Sequence, residues 1–170
     1  MNTIPNTQQV IAFTKVQLPF GWLGNMAPYP VRWEGEVWPT TEALFQAMRF
    51  ADAPTRDAIR ACKSPMAAKM KAKGAWRNLA TSAICVEPRS PADVDNMRIC
   101  LRLKLAQHPD LAEQLLATGN QTIVEDATRR RGASAVFWGA QLRDDGCWHG
   151  ANTLGRLWME LREELRATGQ

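Results

Sequence analysis

The sequence predicts an α+β fold, helix-rich, with a small β-sheet. Three observations lead there. Several stretches carry apolar residues at helical spacing between recognisable start and stop residues. Three or four short segments carry strand patterning. Those segments are separated by blocks of helix rather than alternating strictly with single helices, which argues against a parallel α/β sheet. A chain of 170 residues is the size of one domain and can bury a core without disulfides, so residues 1–170 are expected to form a single domain.

Residues 10–17, "VIAFTKVQ", read as a first strand. Residues 18–30, with Pro19, Gly21, Gly24, Pro28 and Pro30, read as a loop that folds on itself. "VRWEGEVWP" alternates about Gly35, with Val31, Trp33 and Val37 as the apolar set, and predicts a hairpin. Pro39 ends it. Thr40 or Thr41 is the expected N-cap of a helix whose apolar stripe is Ala43, Leu44, Ala47 and Met48. A second helix is expected from about Pro54 to Cys62, with Thr55 as the alternative start. "SPMAAKMKAKG" predicts a third, with Ser64 as N-cap, Pro65 at the first helical position and Gly74 at the stop. Residues 75–91 read as irregular. Val94, Met97, Leu101 and Leu105 predict a long helix that Pro109 closes, and "PDLAEQLLATG" predicts another, ending at Gly119. "QTIVED" reads as a strand, "ATRRRGAS" as a basic loop, "AVFWG" as a short strand and "AQLRDDGCWHGAN" as a loop. Leu154, Leu157, Trp158, Leu161 and Leu165 share one face of a C-terminal helix.

Composition narrows the function. Hydrophobic residues at 45% and charged residues at 22% are ordinary for a soluble globular chain. No apolar run approaches the roughly 20 residues of a membrane span, and the N-terminus lacks a signal-peptide pattern, so a cytoplasmic protein with no membrane partner is expected. Four cysteines without CxxC spacing and two histidines assemble no zinc pattern. The cysteines read as reduced, small hydrophobes, and no metal or cofactor is expected. A net charge of +4 suits anionic ligands such as phosphates but is too weak alone to name nucleic acid. Seven tryptophans against one tyrosine stand out: core packing accounts for several of them, and tryptophan is also a good platform for flat rings.

Glu42 is the first candidate for chemistry. A glutamate in the first turn can simply complement the helix dipole; equally, it follows a Trp-Pro turn in a region able to wall a cleft. Gln46 and Arg49 follow at i+4 and i+7 on one side of the helix, either as a solvated face or as an orienting amide and a cation for phosphate. Lys69 lies in a basic helix with Lys63, Lys71 and Lys73, a solvated surface or an anion site. Arg129 to Arg131 offer a further basic group. In residues 137–155, Asn152 reads either as the N-cap of the last helix or as a binding residue, and Gly150 and Gly155 allow close backbone approach to something. No Walker loop, GxGxxG or GxSxG occurs, and neither His108 nor His149 has a recognisable triad partner.

"FGWLGNMAPYPV", "WPTTEALFQAMRF", "SPMAAKMKAKG", "LLATGNQTIVED", "FWG" and "GANTLGRLWMELREEL", in that order, resemble the NADAR, or YbiA-like, family over residues 12 to 166. The resemblance implies a YbiA-like α+β domain that hydrolyses an N-glycosidic bond without cofactor or metal. The family's substrates are a phosphoribosylamino-pyrimidine intermediate of riboflavin synthesis or ADP-ribose attached to guanine. By motif, Glu42 falls on the catalytic glutamate. Asn25, Trp38, Gln46, Arg49 (for a usual lysine), Lys69, Trp138, Gly139, Asn152 and Gly155 fall on substrate-binding positions. Asn25 and Asn152 would orient ribose hydroxyls, Trp138 or Trp38 would stack on the base, and Lys69 or Arg49 would hold phosphate. Ala43 stands where the family often has histidine, Ala135 where many members have aspartate, and Met26 where they have phenylalanine. Residues 75–91 do not match the family's usual segment there. The alternatives are a catalytically weakened module that binds ADP-ribose or a related nucleotide, and a nucleic-acid-associated protein that uses Arg129 to Arg131 and the lysine helix. The latter merges with the enzyme if ADP-ribosylated nucleic acid is the substrate.

Overall fold

The strand and helix patterns above resolve, in a computed structural model that describes residues 3–7, 9–78 and 85–169, into seven short strands and seven α-helices. In chain order they are β1 (Thr3–Pro5), β2 (Val10–Phe13), β3 (Val31–Trp33), β4 (Glu36–Trp38), α1 (Thr41–Ala47), α2 (Ala53–Arg60), α3 (Pro65–Arg77), α4 (Pro91–Gln107), α5 (Pro109–Ala117), β5 (Thr122–Glu125), α6 (Ala133–Trp138), β6 (Gln141–Leu142), β7 (Cys147–His149) and α7 (Thr153–Thr168), with a single 3-10 turn at Gly21–Leu23. The fold is α+β, as the separated strands predict. The chain forms two compact units, Met1–Gly24 with Pro109–Gln170, and Asn25–His108.

In the first unit β2 and β5 pair in parallel, Val10 opposite Thr122 through Phe13 opposite Glu125. Ile11, Phe13, Ile123 and Val124 are buried, so this ladder is the unit's apolar centre. Helix α7 lies against β5. Its Trp158, fully buried, donates its indole N–H to the Leu23 carbonyl at 2.9 Å and meets Trp22 edge-on. The buried Arg162 guanidinium donates to Thr118 Oγ1 and the Gln121 carbonyl, tying α7 to the turn before β5. A second, antiparallel sheet has the order β1-β7-β6, and its Trp148 packs with Val124 and Ala140.

The second unit gathers α2, α3 and α4 around α1. Every residue of α1 is buried, so its three polar side chains, Thr41, Glu42 and Gln46, need partners inside the unit. The β3–β4 hairpin pairs Val31 with Trp38 and Trp33 with Glu36. Its turn, Glu34 and Gly35, has φ of 50° and 81°, the left-handed pair that two-residue hairpins favour. Arg56 and Arg60 of α2 sit over the rings of Trp33 and Trp38.

Several expectations need correction. "AVFWG" is not a strand: residues 133–138 form α6, with burial at Ala135 and Trp138 three residues apart, the spacing of one helical turn. Residues 140–152 are not a loop but contain β6 and β7. β1 has no counterpart in the expected elements. Gly74 does not stop α3, which runs on to Arg77. Helix α2 starts at Ala53, its N-cap being Asp52, whose carboxylate accepts from Thr55 N–H. The N-caps Thr40, Ser64 and Ser90 each accept from the third residue on, the ordinary reason these helices begin where they do.

Candidate active site

Helix α1 begins at the end of the hairpin because Pro39 breaks β4 and Thr40 caps the first turn, its hydroxyl accepting from Ala43 N–H at 3.2 Å. The loop before the hairpin closes the same turn from the other side. The Asn25 carbonyl accepts from Glu42 N–H at 3.0 Å and from the Thr41 hydroxyl at 3.1 Å. Glu42 is thereby fixed at both backbone and helix start. Its side chain is not on a solvated face: Glu42 and Gln46 are each only 5% exposed. The burial follows from the unit's packing, in which α2, α3 and α4 all contact α1.

Glu42 Oε1 accepts from Gln46 Nε2 at 2.9 Å, and Lys69 Nζ of α3 stands 3.7 Å from the same oxygen. Gln46 Oε1 in turn accepts from Arg49 Nη1 at 2.8 Å. Arg49 completes the chain with a two-pronged pair to Asp93: Nε to Oδ1 and Nη2 to Oδ2, both 2.8 Å. Asp93 is fully buried and also accepts from Arg89 N–H at 2.7 Å. Glu42 Oε2 has no hydrogen-bond partner among the described residues. The line Lys69–Glu42–Gln46–Arg49–Asp93 is thus a polar network, buried at Glu42, Gln46 and Asp93 and open to solvent at Lys69, with one carboxylate oxygen left over.

Of the residues expected at a site, the structure brings Glu42, Gln46, Arg49 and Lys69 together, with the Asn25 backbone at the helix start. The Asn25 side chain donates to the Met97 sulfur at 3.1 Å, and its Oδ1 is buried without a partner among the described residues, as is Trp38 Nε1. A buried, unpaired polar atom costs about 1–3 kcal/mol, so each asks for a ligand or water. Sequence reasoning missed Asp93. The signal was available: Asp93 falls in phase with Met97, Cys100 and Leu101 on the apolar stripe of α4, where an unpaired charge would not be tolerated. Cys100, buried nearby, is no nucleophile. Burial, and then the charges of Glu42 and Asp93, push its thiol far up from the usual range, and the thiol form reacts poorly.

Trp138, Gly139, Asn152 and Gly155 belong to the first unit, where local packing accounts for much of their identity. Asn152 occupies the N-cap position of α7 in the left-handed region, φ 49°, but makes no side-chain cap bond. Its amide clamps β5 instead, Oδ1 accepting from Glu125 N–H at 3.0 Å and Nδ2 donating to the Ile123 carbonyl at 2.8 Å. The close approach expected at the glycines is to the chain's own backbone. A Cβ on Gly155 would lie 2.2 Å from Ile123 O, one on Gly139 2.4 Å from Glu125 O, and one on Gly150 2.4 Å from Gly139 O. Trp138 is buried, with its ring edge-on to Phe137. Arg130 pairs with Glu125. All four cysteines are free, no described group of three or more His, Cys, Asp or Glu could hold a metal ion, and no described helix is long and apolar enough to cross a membrane.

Comparison with known proteins gives a consistent picture. The chain is 35% identical over 156 residues to the N-glycosidase YbiA of Escherichia coli, covering 92% of this chain and 88% of that protein. It is 30% identical to an N-glycosidase of Nostoc punctiforme, covering 92% of each. It is 32% identical to a riboflavin biosynthesis protein of Vibrio vulnificus, covering 94% of this chain but 39% of that longer protein. The NMR structure of E. coli YbiA superposes with a TM-score of 0.75 at 32% identity, covering 98% of this chain and 89% of that one. The NADAR domain pattern matches residues 12–166, and with it the chain belongs to the NADAR domain family.

Proposed function

We propose that this protein is an N-glycosidase that cleaves the bond between a ribose and a base nitrogen, with Glu42 as the catalytic carboxylate. One observation carries the reading: a buried carboxylate whose Oε1 is held by the Gln46 amide and the Lys69 ammonium while Oε2 has no partner among the described residues. Cleavage of an N-glycoside builds positive charge at the ribose C1′. A carboxylate fixed beside that carbon stabilises the charge and takes a proton from the attacking water. The water oxygen bonds to C1′, the C1′–N bond breaks, and the proton taken by Glu42 passes to the departing base nitrogen, which restores the carboxylate. The names of the E. coli and Nostoc relatives support the reaction class.

The unpaired Asn25 Oδ1 suits a ribose hydroxyl donor, and Trp38 Nε1 suits a carbonyl or phosphate oxygen. Arg49 already spends three N–H groups on Asp93 and Gln46, so of the two cations Lys69, with 45% of its side chain exposed, is the one we assign to phosphate. The substrate is a ribosylated base, either a phosphoribosylamino-pyrimidine, a reading favoured by the name of the Vibrio relative, or ADP-ribose on guanine. Glu42→Gln keeps the shape of the side chain and removes the charge. Chromatography of base and sugar products from both substrates should show release by the native protein and at least a hundredfold slower release by the variant, about 3 kcal/mol of barrier. The substrate cleaved chooses the branch. No release from either, with ADP-ribose bound equally by both proteins, would replace the enzyme by a binding module.

A further inference from the structure

The Gln46 side-chain amide has two ends of opposite character, and turned end for end it would place its oxygen against the Glu42 carboxylate. What fixes it is its other neighbour. An arginine N–H can only donate and a carboxylate can only accept. With Arg49 Nη1 at 2.8 Å on one side and Glu42 Oε1 at 2.9 Å on the other, a single amide orientation satisfies both. Arg49 is itself immobilised. Asp93 holds it through two parallel bonds, the Phe45 ring lies under its guanidinium at 4.5 Å, and its side chain is 12% exposed. Asp93 is fixed in turn by the backbone N–H of Arg89, a residue at φ 69°. A non-glycine residue in that conformation carries strain, which here aims an N–H at the aspartate.

We propose that Asp93 and Arg49 are positioning residues, acting only through Gln46, whose amide they lock in the orientation that donates to Glu42 Oε1 and so leaves Oε2 as the oxygen that meets the substrate. The proposal rests on Glu42 being the catalytic carboxylate and adds a second pair of charges to its machinery. It also opposes a plain alternative, in which Arg49 is a phosphate ligand. The two differ in which kinetic parameter they move: loss of a phosphate contact made equally in ground and transition states raises KM, whereas misorientation of the carboxylate lowers kcat.

Removing Arg49 alone would strand a buried aspartate and endanger folding, so the relay is removed with its charges balanced, as Arg49→Met/Asp93→Asn. This variant, Gln46→Leu, the triple combination and the conservative Arg49→Lys are compared on whichever substrate is cleaved, with circular dichroism to verify the fold. The expected result is a kcat at least about tenfold lower for the double variant, with KM within about twofold. The triple variant should be no slower than Gln46→Leu, because residues acting through one group do not add. Arg49→Lys, still a donor-only cation, should recover part of kcat. A raised KM with kcat intact, or effects that multiply in the triple variant, would overturn the proposal. A second readout needs no turnover. The two Gln46 Nε2 protons, one bonded to a carboxylate, should give side-chain amide resonances well separated from those of exposed glutamines, and these should move toward the exposed positions in the double variant. Unmoved resonances would also overturn it. If Glu42→Gln keeps full activity, the functional reading falls, and these resonances alone decide the relay.

Discussion

At Gly155 an added methyl group would meet the Ile123 carbonyl oxygen at 2.2 Å and both amide atoms of Asn152 at 2.6 Å, contacts that a small shift cannot relieve. Gly155→Ala should therefore cost at least about 3 kcal/mol, measured by urea unfolding, because α7 must lift off β5. Asn152→Ala removes both bonds to β5 from a residue 1% exposed and asks alanine to adopt φ 49°. A loss of about 2–4 kcal/mol is expected. Asn152→Gly, which accepts that φ, should lose less than Asn152→Ala; an equal loss would show that the backbone conformation contributes nothing. The motif "GANTLG" marks both residues as special. Nothing in the sequence tells whether the surface they approach is a ligand or the chain's own strand, since a glycine records only that something comes close. Asp93 was legible in a different sense, as a charge on an apolar stripe, but its partner Arg49 lies 44 residues away, and no local pattern joins them.

Elements were legible where their causes are local. Helices α1 and α3 begin where Thr40 and Ser64 cap them, and the β3–β4 hairpin follows from alternation about a Glu-Gly turn. They were not legible where tertiary contacts decide. "AVFWG" has strand-forming residues but only a short run, and the burial of Ala135 and Trp138 selects a helix. The two strands β6 and β7 are too short to show alternation; β7 exists through pairing with β1. Gly74 illustrates the same limit and gives a prediction. Glycine near the end of a basic run reads as a stop, yet α3 continues for three more residues because Ala75 and Trp76 are still partly buried. A Cβ at Gly74 would meet nothing within 4 Å, and glycine inside a helix costs about 0.5–1 kcal/mol relative to alanine. Gly74→Ala should raise stability by that amount and Tm by about 2 °C. A lower Tm would mean that the last turn of α3 needs glycine for a reason its surroundings do not reveal.

For the whole molecule, stability against pH should carry the signature of one buried lysine. Lys104 has no exposed surface, and its ammonium lies 5.0 Å from the centre of the Tyr29 ring, which His108 meets edge-on. Burial lowers its pKa from 10.5 to about 7. In the unfolded chain the group titrates near the ordinary lysine value, about 10.4. Between those two values the unfolded state holds a proton that the folded state has released, so this group makes stability rise with pH across about 7 to 10. Below pH 7 both states are protonated and its full penalty for burying a charge is present. The buried Cys100 thiol works in the opposite direction. Its folded pKa is raised, so the stabilisation it gives is present below the ordinary thiol value and fades as the unfolded thiol ionises above about pH 8.5. The slope for the native protein alone therefore mixes the two. The difference between native protein and Lys104→Met cancels the thiol, because both chains keep it. Urea unfolding at pH 6.5, 8 and 9.5 should show the variant gaining most, relative to the native protein, at pH 6.5, with the advantage shrinking by a few kcal/mol toward pH 9.5. Parallel pH dependences for the two proteins would mean that Lys104 keeps its proton in the fold, its surroundings, the Tyr29 ring among them, offsetting its burial.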